Sequence, residues 1–258
     1  MTDVLLNALL LSFVLLGIHA YFGMEVVRRG IIFTDIAIAQ ASAVGLALAL
    51  FLFDEPSYIL SLLCSLLAGV FVLLSQRLRD YAEAFIGLLY ALGFSLVVLV
   101  LSKSPHGMEE FLKLSAKDIL FVPREEVIKT GILYAVFGFF LYLREKFLKG
   151  FWSELAFFVL FSLTITSSVS LVGVLIVFSI LVAPALVSLL LKKGLLFAWV
   201  YGAVINTAGI VLSFYLDLPT GFSLVFLQAL FGILVFISAL FLKGFKDHHK
   251  LKRRNFWK

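Results

Sequence analysis

The sequence predicts an all-α, polytopic transmembrane helical bundle of about eight to nine spans. Hydrophobic residues fill 62% of the 258 positions and charged residues only 14%. With a mean hydropathy of +1.11, the chain has too little polar surface to cover a soluble globule. A helix crosses the hydrocarbon core with about 20 apolar residues, and charged clusters cut this sequence repeatedly into pieces of that length. None of the intervening stretches is long enough to form a separate soluble domain.

In chain order the candidate spans are Val4 to Met24, Ile31 to Phe53, Tyr58 to Ser75, Ala84 to Ser102, Val127 to Leu143, Leu155 to Leu171, Val174 to Leu191, Phe197 to Leu216 and Phe222 to Leu242. Between the sixth and seventh, residues Ser162 to Gly173 are rich in Ser, Thr and Gly. They fit a short turn, a broken helix or a close helix contact. Segment Met108 to Glu126 is too polar to span and is expected as a short amphipathic or re-entrant piece. The first span is long enough to stay in the bilayer, without a basic leader or a small-residue cleavage site, so it is expected to be retained. The division expected is a membrane domain over 1–242 and a basic cytoplasmic tail over 243–258.

Lys and Arg concentrate on cytoplasmic loops. Assigning alternate loops places Arg28, Arg29, Arg77, Arg79, Arg144, Lys146, Lys149, Lys192, Lys193 and the tail on one side, with Lys103, Lys113, Lys117, Arg124 and Lys129 opposite. The N-terminus is therefore expected outside and the C-terminus in the cytoplasm, with the chain multi-pass in the plasma (inner) membrane. Asp54, Glu55, Glu109, Glu110 and Asp217 fall on the outer side, a face suited to cations. The net charge of +5 is thus mainly a topology signal. The tail, with Lys250, Lys252, Arg253 and Arg254, is expected against anionic lipid rather than nucleic acid, because no folded module accompanies it. The one cysteine, Cys64, excludes an internal disulfide and a multi-cysteine metal site.

Acids inside membrane spans are costly and normally face a bundle interior or a watery path. Asp35, just beyond the Arg28-Arg29 pair, is the strongest candidate of this kind; the alternative is a structural hydrogen-bonding role or a pairing with arginine. Gln40 follows it by five residues, about 140° round an ideal helix, so the two do not share a face without distortion. His19 and Glu25 lie on the first span, on different faces; a hydrogen-bonded structural histidine is the simpler role for His19. Asn206, Thr207 and Gln228 fit either a path lining or helix-to-helix glue. His248 and His249 in the tail fit a metal sensor or an ordinary solvated run.

Three stretches together resemble the permease subunits of ATP-binding-cassette importers for zinc, manganese and iron, the ABC-3 family. The first is Val27-Arg28-Arg29-Gly30-Ile31-Ile32-Phe33-Thr34-Asp35 through Gln40 to Gly45, where the family has a basic pair, an aromatic-containing turn, then an acid and a histidine ahead of a glycine. The second runs from Val172-Gly173-Val174-Leu175 to Ala183-Pro184-Ala185-Leu186, and the third from Leu212 to Leu218-Pro219-Thr220-Gly221. Their order along nearly the whole chain is more specific than any one of them. Gln40 stands where many members have histidine, the pattern of a branch of the family; imidazole favours zinc and oxygen ligands favour harder ions such as manganese.

The resemblance implies a type II-like importer permease, non-catalytic, acting as a homodimer with two cytoplasmic ATPase subunits below and an extracytoplasmic metal-binding protein above. The metal is then cargo, with no tightly bound cofactor. The metal-contacting candidates are Asp35, Gln40, His19 and Glu25, Asp35 being the best. Phe151, Trp152, Glu154 and Ala156 are similar to the family's coupling stretch, with Trp152 where an acid is expected and Leu160 where a glycine is, so a short coupling helix is expected over Lys149 to Phe157; an interfacial aromatic belt is the plain alternative for Phe151 and Trp152. No Gly-x-x-x-x-Gly-Lys-Ser/Thr phosphate loop is present, so ATP must be handled by a partner. A membrane-embedded metalloenzyme lacks its ligand motifs here. An ion-gradient-driven secondary transporter, with Asp35 or Glu25 carrying a proton, is the competing class.

Overall fold

A computed structural model describes residues 2–103, 109 and 119–254. Its regular elements are nine long helices, two 3-10 turns and no strand among the described residues: α1 (Thr2–Arg29), α2 (Thr34–Phe53), α3 (Tyr58–Ser75), α4 (Arg79–Leu101), α5 (Arg124–Phe147), α6 (Gly150–Val172), α7 (Val174–Leu190), α8 (Leu195–Leu216) and α9 (Thr220–Arg254). Eight of them are long and apolar enough to cross a bilayer, and α7, at 17 residues, is a shorter apolar helix. Short turns at Gln76–Leu78 and Ile119–Phe121 complete the described elements. Most of the polar segment Met108 to Glu126 lies outside the described residues.

The helices begin and end where local chemistry dictates. Ser57 caps α3 through its hydroxyl, which accepts from Leu60 N–H at 3.3 Å, the usual role of serine at that position. Asp54 and Asp217 take the left-handed conformation that closes α2 and α8, as short polar residues do. Leu218 N–H then returns to Ser213 O at 2.9 Å, and the Ser213 hydroxyl donates to Thr220 Oγ1 at 3.0 Å. Together these bonds fix the turn before α9. Between α6 and α7 the break is one residue wide: Gly173, at φ 89° and ψ 166°, adopts a backbone that glycine accommodates. The Ser- and Thr-rich stretch before it is continuous helix.

Central and peripheral helices are distinguished by burial. α6 and α7, with α1 beside them, bury Phe22, Phe157, Phe158, Phe161, Ile165, Ile176 and Ile180 completely. α1 packs on α5, α7 and α8, whereas α2 packs on α3 and α4, and α6 touches both groups through α2, α3 and α5. The outer faces of α3, α4, α5, α8 and α9 expose residues such as Leu67, Leu88, Phe139, Val204 and Phe226, the composition of a lipid-facing surface. Two glycines set close approaches. A Cβ on Gly45 would lie 2.5 Å from Leu60 O, so α2 and α3 meet backbone to backbone, and Gly23 meets the Leu181 carbonyl of α7 in the same way. Such small-residue contacts are how helices associate where apolar burial gives no net gain.

Whereas the hydroxyls of Thr34 and Ser162 have no partner among the described residues, many others inside the bundle are satisfied locally: Ser12, Thr130, Thr164, Thr166 and Ser179 donate to carbonyls three or four residues back. This lets an apolar helix carry polar side chains without exposing an unmade bond. Gln228 Nε2 donates to Asn206 Oδ1 at 2.7 Å across the α8–α9 contact, which places these two amides as glue between helices. The helix α9 runs without a break from Thr220 through to Arg254, so the boundary expected at 242 is not marked by a turn. The side chains of the tail, His248 and His249 included, lie outside those described.

Candidate functional site

Four membrane residues stand out from the sequence, and the structure gives each its own surroundings. His19, at mid-length of α1, is fully buried. Its Nδ1 lies 2.7 Å from Leu15 O and its Nε2 lies 3.0 Å from Ser168 Oγ. Tyr134 Oη is 2.5 Å from Ser168 Oγ and 3.0 Å from Ser167 Oγ, and its ring meets His19 edge to face. Because a carbonyl only accepts, Nδ1 carries the proton toward Leu15 and Nε2 meets the serine. His19 is thereby the centre of a polar network joining α1, α5 and α6, the structural role open to it. Ser65 Oγ and Thr166 Oγ1, 2.5 Å apart, make a separate polar contact between α3 and α6, so α6 carries polar contacts to several neighbours.

Glu25 belongs to a different cluster at the basic end. It pairs with Arg28 at 3.5 Å and with Arg29 at 3.3 Å. Arg29 also bonds Glu154 of α6, and Arg144 of α5 donates through Nε to Ser153 O at 2.9 Å while facing Glu154 at 3.7 Å. Both guanidiniums lie over the Phe157 ring, at 4.4 Å and 5.0 Å, a favourable placement for a cation on an aromatic face. The ends of α1 and α5 and the start of α6 are thus clasped together. Nothing in the sequence joins Arg29 to Glu154, 125 positions away.

The expected coupling stretch sits on that clasp, but it is not a separate helix. Lys149 is the N-cap residue of α6, and Gly150 to Phe157 form its first two turns, because no helix breaker intervenes before Gly173. Phe151 and Trp152 are 51% and 66% exposed and meet edge to face. Glu154 turns inward to the arginines, and Ala156 is half-buried. Only the two aromatics are therefore free to meet a partner.

Asp35 is 1% exposed and lies in the first turn of α2, near the basic end rather than deep in the span. The chain turns at Gly30, where φ is 71°, and Thr34 N–H bonds Ile31 O at 3.1 Å; residues 31–33 therefore precede the helix. The macrodipole there favours an acid, yet neither carboxylate oxygen of Asp35 has a well-formed hydrogen bond. The neighbouring Arg28 and Arg29 are engaged by Glu25 and Glu154, so the arginine pairing open to Asp35 is not formed. Gln40 lies on the flank of α2 against α4, where a Cβ on Gly93 would come within 3.0 Å of its own Cβ. The four candidates are not gathered at one point, and no group of three or more His, Cys, Asp or Glu is placed to hold an ion among the described residues.

One further acid near this turn escaped the sequence. Glu83, one turn into α4, accepts from Phe33 N–H at 3.3 Å and reaches the start of α2. With the span expected to begin at Ala84, Glu83 fell in a loop beside Arg79 and Asp80 and carried no signal.

Residues 1–240 match the ABC 3 transport family. Over 255 residues the chain is 26% identical to a "Probable iron transport system membrane protein" of Haemophilus influenzae, covering 91% of this chain and 90% of that one. It is 28% identical over 204 residues to a chelated iron transport system membrane protein of Yersinia pestis, covering 69% and 67%. The fold is shared with PsaBC from Streptococcus pneumoniae in complex with Fab: TM-score 0.66, 19% identity, 89% of this chain and 90% of that one. A match over nearly the whole chain, in a helical bundle of the same fold, makes this protein a member of the ABC 3 transport family.

Proposed function

We propose that this chain is the membrane-spanning permease of an ATP-driven importer for a divalent transition metal ion, working as a homodimer with its N-terminus outside and its C-terminus in the cytoplasm. Of zinc, manganese and iron, iron is favoured by the names of the relatives. The observation that carries the reading is Asp35, a carboxylate buried in the bundle without a partner, in the stretch that resembles the family's acid-bearing motif. A membrane chain keeps such a costly group where a cation passes. Two cytoplasmic ATPase subunits supply the energy, and an extracytoplasmic metal-binding protein delivers the cargo. Membership of an ATP-driven family leaves the ion-gradient alternative without a supporting feature of its own.

The basic end supports the orientation, since Arg28, Arg29, Arg144 and Lys192 all lie at helix ends on that side. It also gives a route for coupling. An ATPase pressing on Phe151 and Trp152 moves the first turn of α6, and Glu154 passes that movement through Arg29 to the turn that precedes Asp35. Exposed aromatics are good interface anchors.

Affinity purification of the chain from native membranes in mild detergent tests the reading as a whole. A stoichiometric ATPase subunit is the expected companion, and its reproducible absence would count against an ATP-driven importer. Trp152→Ala is expected to lower metal transported per ATP hydrolysed by about tenfold, the scale of losing one interface anchor of 1–2 kcal/mol, without changing membrane insertion. Unchanged flux per ATP in reconstituted vesicles would remove Trp152 from the coupling surface.

A further inference from the structure

We propose that Asp35 and Glu83 form a two-carboxylate station for the transported divalent cation at the basic end of the bundle, with α2 supplying one ligand and α4 the other. This rests on Asp35 lying in the ion path and adds the second ligand of that same site. Glu83 is placed by geometry. Its Oε1 accepts from Phe33 N–H at 3.3 Å, which sets the carboxylate on the residue that opens α2, two positions before Asp35. Glu83 thereby reaches the same N-terminal turn of α2 that carries Asp35.

Among the described side chains neither acid is paired with a cation. Both Asp35 oxygens, Glu83 Oε2 and the Thr34 hydroxyl are buried without hydrogen-bond partners, and Asp35 and Thr34 are 1% and 0% exposed. The arginines on the preceding turn of chain are held by Glu25 and Glu154. Asp35, buried beside a second acid, costs several kcal/mol to desolvate as an ion, while Glu83 is only partly buried. The positive end of α2 offsets part of this but gives no partner to the outward oxygens. A divalent cation satisfies all of them at once. Carboxylates and a hydroxyl form a hard oxygen set, suited to Mn2+ and Fe2+ rather than to soft ions, with the remaining positions open to water.

Glu83→Gln separates charge from structure, since the amide oxygen still accepts from Phe33 N–H while the negative charge is lost. The full chain is purified in detergent and titrated with Mn2+, bound ion being read as loss of the free-ion EPR signal. Asp35→Asn and Glu83→Gln are each expected to weaken Mn2+ by about tenfold or more, a loss that even outer-shell changes around a metal reach. A second measurement needs no variant: the wild-type chain loaded with Fe2+ and given ascorbate and peroxide is expected to be cut beside both residue 35 and residue 83. Weakened binding in Asp35→Asn with wild-type binding in Glu83→Gln, or cleavage near residue 35 alone, overturns the station and leaves Asp35 in the path. Wild-type binding in both variants, or no Mn2+ binding and no cleavage in the wild-type chain, overturns the station and the placing of Asp35 together. Should Glu83→Gln not fold, the cleavage map decides.

Discussion

Asp35→Asn is expected to abolish metal uptake, lowering it by about a hundredfold or more, while the protein assembles as before. The substitution keeps size and shape and removes only the charge. A hundredfold loss corresponds to about 2.8 kcal/mol at about 1.4 kcal/mol per tenfold, a modest demand on a carboxylate that meets a divalent ion inside a bundle. Stability should move the other way, or not at all. Asp35 has no ion pair and no well-formed side-chain hydrogen bond to lose, and a buried charge without a counter-charge is a cost to the fold. The two readouts therefore part. A structural acid would lose thermal stability on neutralisation, whereas a path acid loses flux alone. Uptake by vesicles carrying the chain with its ATPase, set beside melting of the same preparation in detergent, checks both. Full uptake by Asp35→Asn would take Asp35 out of the path.

The bundle was largely legible because lipid makes its demands on sequence simple. Apolar pieces of spanning length separated by charge give the helices, and α3 has the bounds expected of it, Tyr58–Ser75. Elsewhere the helices run past their apolar cores, as α5 does through Arg144 to Phe147, because charged residues at a helix end still gain intrahelical bonds while their heads reach water or, as Arg144 does, a polar partner. That extension misled the reading twice. It left Glu83 in a loop although α4 already begins at Arg79, and it split the first turns of α6 off as a coupling helix. Hydropathy marks the membrane, not the end of the helix.

The site was legible only in part, since its parts come from distant places. Asp35 could be picked out alone, as an acid in an apolar span. That His19 would be held by Ser168 and Tyr134, that Glu25 and Glu154 would share Arg29, and that Glu83 would meet the start of α2 all depend on how α1, α4, α5 and α6 pack. No local periodicity encodes those pairings. The glycine of the acid-bearing motif, by contrast, has a reason visible only in three dimensions: Gly45 is where α3 touches α2.

Gly45→Val is accordingly expected to be among the most damaging single changes to the fold. The added Cβ would stand 2.5 Å from Leu60 O and 2.6 Å from Ser61 Cα, and both are backbone, which cannot swing aside as a side chain would. The helices must separate, and with them go the Ser42–Ser61 hydroxyl contact at 2.9 Å and the bond from Ser61 Oγ to Ser42 O at 2.6 Å. Overpacking of this kind costs about 1–3 kcal/mol, and each interhelical hydrogen bond in a membrane adds about 0.6 kcal/mol, for a total near 2–4 kcal/mol. Gly138 of α5 supplies the control, since a Cβ there meets nothing within 4 Å and Gly138→Ala should leave stability level or slightly raised. Thermal unfolding of the two variants in detergent, compared with the parent, reads the difference. If Gly45→Val melts with the parent, the close approach of α2 and α3 is not what the glycine is for. If it melts far below while Gly138→Ala does not, the motif glycine acts by holding the helix that carries Asp35 against its neighbour, and the acid and the glycine of the motif are parts of one construction.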